Sequence, residues 1–544
     1  MGQNRPKGVK PRDPAKEPAV QQIASFVGFF IYLLVLKSFF LPLFVIPTGS
    51  MAETLYGAHA IHTCPNCGFE YPIGISPPPH REIPIIRCPN CGWQEFTDSP
   101  NLMQRYRTPF LRIDGSIDSP LHTRGGDRIM VHGWAYDLGG RYAPQRWDVV
   151  VFKVPSDLTT NYIKRLIGMP GEQIEIIDGD IWVAPPGGKL AIAHKPPQVQ
   201  EALWFSFYNH DFPPAGPSQD GRYHPRWITV GNSDGWQGLD TRFPSFNGEP
   251  GENGRIMFVT EAGATMNPGR ITDVYGYDRP AARDNRGNLR PVEPHIVSDV
   301  RLSCRVDFDS DAPPETFVEL SATKDGDSFF GRIYADGRLM LEHVGKRGVR
   351  ESWGEARLER PGRPVVFALA SVDYTVSLQV DGEVTLQSTP EQYHVDAAQA
   401  RAHSEAAISP QLLITAGGGP VHLAHLLIER DVYYTSDLGT GTAGYGTQRH
   451  PITLGPNDYF MLGDNSPYSQ DSRYSFVSSP DEPLLASYVN PDYQRGTVPG
   501  DQLIGPAFLV YWPGMGQLLP ERYMSGALRH LNALPTPGRI RWIR

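Results

Sequence analysis

From Ile23 to Ile46 the chain carries one long apolar run whose only charged residue is Lys37. A membrane-crossing helix needs ~20 such residues, so the run predicts a transmembrane helix over Ile23–Leu41. Pro42 then acts as a natural stop and the Lys37 ammonium reaches back to the interface. The length disfavours a buried core helix. Before the run, Arg5, Lys7, Lys10, Arg12 and Lys16 outweigh Asp13 and Glu17, which places the N-terminus in the cytoplasm and everything beyond residue 46 on the exported face. No second long apolar run follows, so a single-pass anchor in contact with membrane lipids is expected.

The 544 residues exceed what one compact core accommodates, and two or more domains are expected. A net charge of −9 argues against nucleic acid as a partner. With 55 Gly, 52 Pro and many short β-branched runs, the exported part reads as mainly β.

Cys64-Pro65-Asn66-Cys67-Gly68 recurs as Cys88-Pro89-Asn90-Cys91-Gly92. Paired C-x-x-C motifs ~20 residues apart have the spacing of a zinc ribbon, four thiolates closing a tetrahedron. Such a zinc would be structural, because four cysteines leave no open position for substrate. Disulfides are the competing reading in an oxidising compartment. His59 and His62 are expected to be surface residues rather than ligands.

Gly126 to Val183 reads as a β-meander, with Asp178-Gly179-Asp180 supplying a hairpin turn. Residues 196–293 show no clear periodicity and stay unassigned. From 294 to 432, Val300, Leu302, Cys304, Val306 and Phe308 alternate with polar residues, and Asp336-Gly337 and Asp381-Gly382 mark two hairpins. This predicts a β-sandwich and resembles, in architecture only, the concanavalin/laminin-G-like jelly rolls. Cys304 falls on the apolar face and reads as a packed core residue.

Two phrases carry the chemistry. Ser50 follows the apolar run in Ile46-Pro47-Thr48-Gly49-Ser50-Met51-Ala52-Glu53-Thr54-Leu55, and Lys164 sits in Tyr162-Ile163-Lys164-Arg165-Leu166-Ile167-Gly168. A serine hydroxyl needs a base to take its proton. A lysine can serve once burial lowers its pKa from ~10.4 towards ~7–8. A third phrase is Gly463-Asp464-Asn465-Ser466-Pro467-Tyr468-Ser469-Gln470-Asp471-Ser472-Arg473.

Together these phrases resemble bacterial signal peptidase I, the Ser/Lys membrane protease, over residues 42–60, about 125–185 and about 455–513. The resemblance implies Ser50 as nucleophile and Lys164 as general base, with no cofactor for catalysis. Thr48 would help hold the oxyanion and Ser469 would orient the lysine amine. Arg165, Asp464, Asp471 and Arg473 would form a charged scaffold. Ile46, Pro47, Met51, Leu55, Tyr162 and Ile163 would line shallow pockets for small residues at −1 and −3 of exported preproteins. The location implied is the bacterial inner membrane. Two positions depart from the family's habit: Ser466 where Arg is common, and Trp147 where Gly is common.

The expected partition is a cytoplasmic tail (1–22), the transmembrane helix (23–41), catalytic parts at 42–62, 104–195 and 433–518, a zinc-ribbon-like insertion (63–103), the unassigned insertion (196–293), the sandwich (294–432) and a C-terminal tail (519–544). An antiparallel signal-peptidase catalytic fold would thus be interrupted by a ribbon and a sandwich. A dormant protease-like scaffold whose sandwich binds glycan or a partner protein is the alternative.

Overall fold

The computed structural model describes residues 19–74, 85–96, 123–154, 157–216, 225–231, 235–249, 251–262, 265–268, 270–277, 281–283, 289–291, 294–406, 408–436, 444–476, 493–513 and 539–544. The basic tail from Arg5 to Glu17 and residues 519–538 of the C-terminal tail lie outside these. Strands dominate, in keeping with the mainly β expectation.

The N-terminal helix departs from expectation. Ala19–Val35 is an α-helix of 17 residues, and Leu36–Phe40 continues it as a π-helical turn. At ~1.5 Å per residue the α-helix is about 26 Å long, short of a ~30 Å hydrocarbon core. Among the described residues no helix is long and apolar enough to cross a membrane. The apolar side chains of Ala19–Val35, Ile23, Phe26, Phe29, Ile31 and Leu34 among them, are nonetheless exposed.

The sheet that carries the site is antiparallel throughout. Its path runs Leu43–Val45, Arg128–Val131, Leu503–Trp512, Val149–Val154, Asp157–Gly168, Asp458–Leu462 and Val498–Pro499. The expected meander is therefore corrected: Leu503–Trp512 inserts between Arg128–Val131 and Val149–Val154. Alternating apolar residues show which face is buried but not which strand lies alongside, and a distant segment can win the place. The C-terminal residues also join, as Arg541–Trp542 pairs with Leu503–Trp512.

Beside it lies a four-stranded sheet of Ala191–Ile192, Asp180–Ala184, Gln173–Ile177 and Ile452–Thr453. The turn at Asp178 (φ 53°) and Gly179 (φ 88°) has two left-handed residues, the two-residue hairpin form whose twist matches its strands.

Two larger sheets share one hydrophobic core. Val300–Phe308, Val365–Val372, Thr375–Val380, Glu383–Gln387 and Val421–Arg430 belong to one; Phe317–Lys324, Asp327–Tyr334, Arg338–Val344, Arg350–Arg357 and Leu412–Gly417 belong to the other. Leu302, Cys304, Leu320, Phe329, Phe367 and Ile414 meet between them. Residues left unassigned complete both sheets: Phe205–Asn209 pairs with Val421–Arg430, and Asn253–Ala262 with Leu412–Gly417. Their Pro- and Gly-broken runs hid these strands.

Candidate active site

Ser50 opens the turn Ser50–Thr54, a few residues after Leu43–Val45, and Lys164 lies within Asp157–Gly168, opposite Val150. The sheet brings them together: Lys164 Nζ is 2.6 Å from Ser50 Oγ. Lys164 is only 4% exposed. Burial pushes its amine down to about 8, while Asp471 and Asp464 act in the opposite sense and Arg473 lowers it further. An amine lowered this far is neutral in about a tenth of the molecules at pH 7 and in most of them above pH 8, and in that form it can take the hydroxyl's proton.

Successive strand residues face opposite ways, so Arg165 points away from the serine. It grips Asp464 with two hydrogen bonds, Nε to Oδ1 at 2.8 Å and Nη2 to Oδ2 at 2.7 Å. Thr54 Oγ1 donates to the same carboxylate at 2.6 Å, fastening the chain just past Ser50. Arg473 makes a second bidentate pair with Asp471, at 2.9 and 2.7 Å. Both pairs are fully buried. Removing one partner from such a pair costs ~3–5 kcal/mol.

The two departures from the family's habit acquire physical accounts. Ser466 Oγ accepts from Arg473 Nη1 at 2.7 Å and from Thr435 N at 2.8 Å, so it is fully engaged in the scaffold. Trp147 adopts φ 78°, a left-handed conformation that glycine takes freely and a side chain takes at ~1–2 kcal/mol. Its buried ring lies under Lys195 Nζ at 5.6 Å, and its carbonyl accepts from Arg165 Nη1 at 2.8 Å.

Other expected site residues divide. Ser469 Oγ is buried but has no hydrogen-bond partner, so it does not bond the lysine amine here; it rests against Gly463, where any Cβ would collide with it. Thr48 and Pro47 are exposed beside the serine. Ile46, Met51 and Leu55 are core residues packed on Ile129, Val131 and Val149. Tyr162 and Ile163 remain half-buried.

Several neighbours escaped the sequence reading. Asn465 clamps the nucleophile turn from two sides: its N–H donates to Ser50 O at 3.1 Å and its Nδ2 to Gly49 O at 3.0 Å. Tyr277 presses on Gly49, leaving no room for a Cβ there, and its ring stacks on Tyr56 with centroids 5.7 Å apart. Tyr275 OH donates to Asp464 O at 3.3 Å. Both tyrosines belong to the stretch that periodicity left unassigned, and only its Pro/Gly/aromatic composition hinted at a packing role.

The four cysteines Cys64, Cys67, Cys88 and Cys91 converge, with every sulfur within 4.8 Å of the others. Cys64 Sγ lies 3.5 Å from Cys91 Sγ and Cys67 Sγ 3.7 Å from Cys88 Sγ. None is disulfide-bonded. A tetrahedron of ~2.3 Å Zn–S bonds has edges of about 3.8 Å, so the thiol set fits that ion. Each knuckle turns through a left-handed glycine, Gly68 or Gly92, whose N–H bonds the first cysteine's carbonyl. His59 and His62 are corrected: they are buried on His59–Thr63 and stay outside the thiol cluster. Three positions apart, the two imidazoles leave opposite faces of the strand, and both faces are covered: His59 Nδ1 lies 2.8 Å from Gly57 O and His62 packs on Tyr71.

The model of the signal peptidase family, peptidase S26, matches residues 108–203 and 378–512. These include Lys164, Arg165 and Asp464 to Arg473, while Ser50 lies outside them. The signal peptidases I of Rickettsia typhi (strain ATCC VR-144 / Wilmington) and Rickettsia prowazekii (strain Madrid E) are each 52% identical over 40 residues, 7% of this chain. The matched stretch spans 15% of those relatives' length. These likenesses point to the signal peptidase family over less than half of this chain. Among solved structures, a carbohydrate-binding module CBM66 from Bacillus subtilis aligns with 38% of this chain and 95% of its own, at 9% identity and TM-score 0.23. Apo Crh5 transglycosylase aligns with 42% and 85%, at 11% identity and TM-score 0.25. Likeness at that level carries nothing further about fold or ligand.

Proposed function

We propose that this chain is a membrane-anchored serine endopeptidase that removes signal peptides from exported preproteins. The observation that carries the reading is the buried Lys164 amine 2.6 Å from the Ser50 hydroxyl. Ser50 Oγ–H donates its proton to neutral Nζ as oxygen attacks the scissile carbonyl. The developing oxyanion is met by the Ser50 N–H and the exposed Thr48 hydroxyl, contacts that typically contribute ~3 kcal/mol each. The lysine then returns its proton to the leaving amine, and a water activated by the same Nζ hydrolyses the acyl-enzyme. The two Arg–Asp pairs hold the turn and strand in register.

Substrate would lie extended past Pro47, Tyr162 and Ile163, over a floor of Ile46, Met51 and Leu55, leaving room only for small residues at −1 and −3. The exposed apolar helix Ala19–Val35 supports the anchoring: facing lipid removes that surface from water, and the anchor raises the local concentration of membrane-bound signal helices. The N-terminus would be cytoplasmic and the catalytic fold on the exported face of a bacterial inner membrane. Cys64, Cys67, Cys88 and Cys91 would hold a structural zinc, stiffening the sheet next to the nucleophile turn.

The deciding experiment offers detergent-solubilised protein a preprotein with an Ala-x-Ala site. Cleavage by the wild type, abolished in Ser50→Ala and in Lys164→Ala, is the expected outcome. An intact preprotein under several lipid conditions would favour a dormant scaffold with a binding sandwich.

A further inference from the structure

Where the four-stranded sheet meets the sandwich, four carboxylates converge. Asp180 opens the strand Asp180–Ala184, Asp299 precedes Val300–Phe308, Asp373 occupies the turn before Thr375–Val380, and Asp431 follows Val421–Arg430. One oxygen from each lies within 4.8 Å of all the others, and all four residues are buried. Two lysines answer part of the charge: Lys195 Nζ lies 2.7 Å from both Asp373 Oδ1 and Asp431 Oδ2, and Lys324 Nζ pairs with Asp299 Oδ1. Further donors engage the same three. The Asp373 N–H bonds Asp299 Oδ2 at 2.9 Å, and Gln200 Nε2 bonds Asp431 Oδ1 at 2.8 Å.

Asp180 is the exception. It is 6% exposed, faces the other three carboxylates, and among the described residues its side chain receives neither hydrogen bond nor ion pair. A buried carboxylate with no donor, aimed at three more, calls for a positive species. Four carboxylates against two ammonium groups leave two negative charges. The donor set is all hard oxygen, which suits calcium rather than zinc. Calcium–oxygen contacts of ~2.3–2.6 Å put opposed ligands just under 5 Å apart, and the four oxygens, all within 4.8 Å of one another, are close enough to share one such ion.

We propose that Asp180, Asp299, Asp373 and Asp431 bind a calcium-class divalent cation that latches the sandwich to the four-stranded sheet. A proton on Asp180 is the rival occupant, since burial beside Asp299 raises that carboxyl well above its ordinary range. The site stands independently of the peptidase reading.

The test uses the full chain in detergent, with calcium added to metal-depleted buffer. About one calcium per chain is expected in equilibrium dialysis, with a rise in Tm of about 5 °C at millimolar calcium, both lost in Asp180→Asn. Terbium offers a second readout on the wild type, should that variant fail to fold. Trp182, two residues along the same strand, would sensitise emission that calcium then quenches by displacement. A wild type that binds no calcium at about 10 mM, about ten times the ~1 mM Kd of the weakest sites, and gives no calcium-displaceable terbium emission overturns the proposal and leaves the proton in place.

Discussion

Lys164 and Lys195 are both buried lysines, yet their surroundings drive them in opposite directions. Around Lys164 the near neighbour is an uncharged hydroxyl, the acids stand further off, and burial wins, taking the amine down to about 8. Around Lys195, Asp373 and Asp431 are in direct contact at 2.7 Å, and their charge outweighs burial and holds the amine well above its ordinary value. Burial alone therefore does not make a base. What matters is whether a carboxylate touches the nitrogen. In the catalytic sheet the acids are occupied by Arg165 and Arg473, which keeps them off Lys164.

The contrast can be broken in several places. Ser50→Ala or Lys164→Ala should lower preprotein cleavage by about 10⁴-fold or more, measured as kcat/KM. Lys195→Met should strip two buried carboxylates of their partner and cost ~3–5 kcal/mol in denaturant unfolding. Lys164→Met should do the reverse. The folded amine binds its proton less readily than the unfolded one, so wild-type folding carries a penalty below pH ~8 that fades as pH rises to ~10.5. At pH 7 the methionine variant should therefore gain up to about 3 kcal/mol, with the gain vanishing towards pH 10.5. If both lysine variants lose stability alike, the contrast fails.

The same value sets the activity profile. kcat/KM should climb about tenfold per pH unit below pH 8 and level off above it, as the amine becomes neutral. The smallest effect belongs to Tyr277→Phe. The ring still fills the space beside Gly49 while the 3.3 Å hydrogen bond to Ala58 O is lost, so kcat should change less than about threefold. Tyr277→Ala removes the ring against the nucleophile turn and should lower kcat by about tenfold with KM little changed.

Much of the site could be read from short phrases, because each carries its own local chemistry. The serine turn, the lysine on an apolar strand and the Asp and Arg of the Gly463–Arg473 stretch all end near one another. Asp178-Gly179 and Asp381-Gly382 turn as two left-handed residues, since those residue types tolerate that backbone. The failures share a cause. His59 and His62 look polar in sequence yet lie buried, because both faces of their strand are covered by segments that local sequence does not reveal. Ser469 sits in the expected phrase, but its hydroxyl faces Gly463 instead of the amine.

The sequence by itself determined the mainly β character, the cysteine pairs, the hairpin turns and the residue types able to do acyl-transfer chemistry, all properties of a few neighbouring residues. Tertiary structure alone decided that Leu503–Trp512 separates two strands expected side by side, and that Tyr277 closes on the serine turn. It also decided that four aspartates from distant segments meet at one point, and which of the buried lysines is left without a carboxylate. Those outcomes depend on packing between segments hundreds of residues apart, where burial and charge act through space and leave no mark on local periodicity.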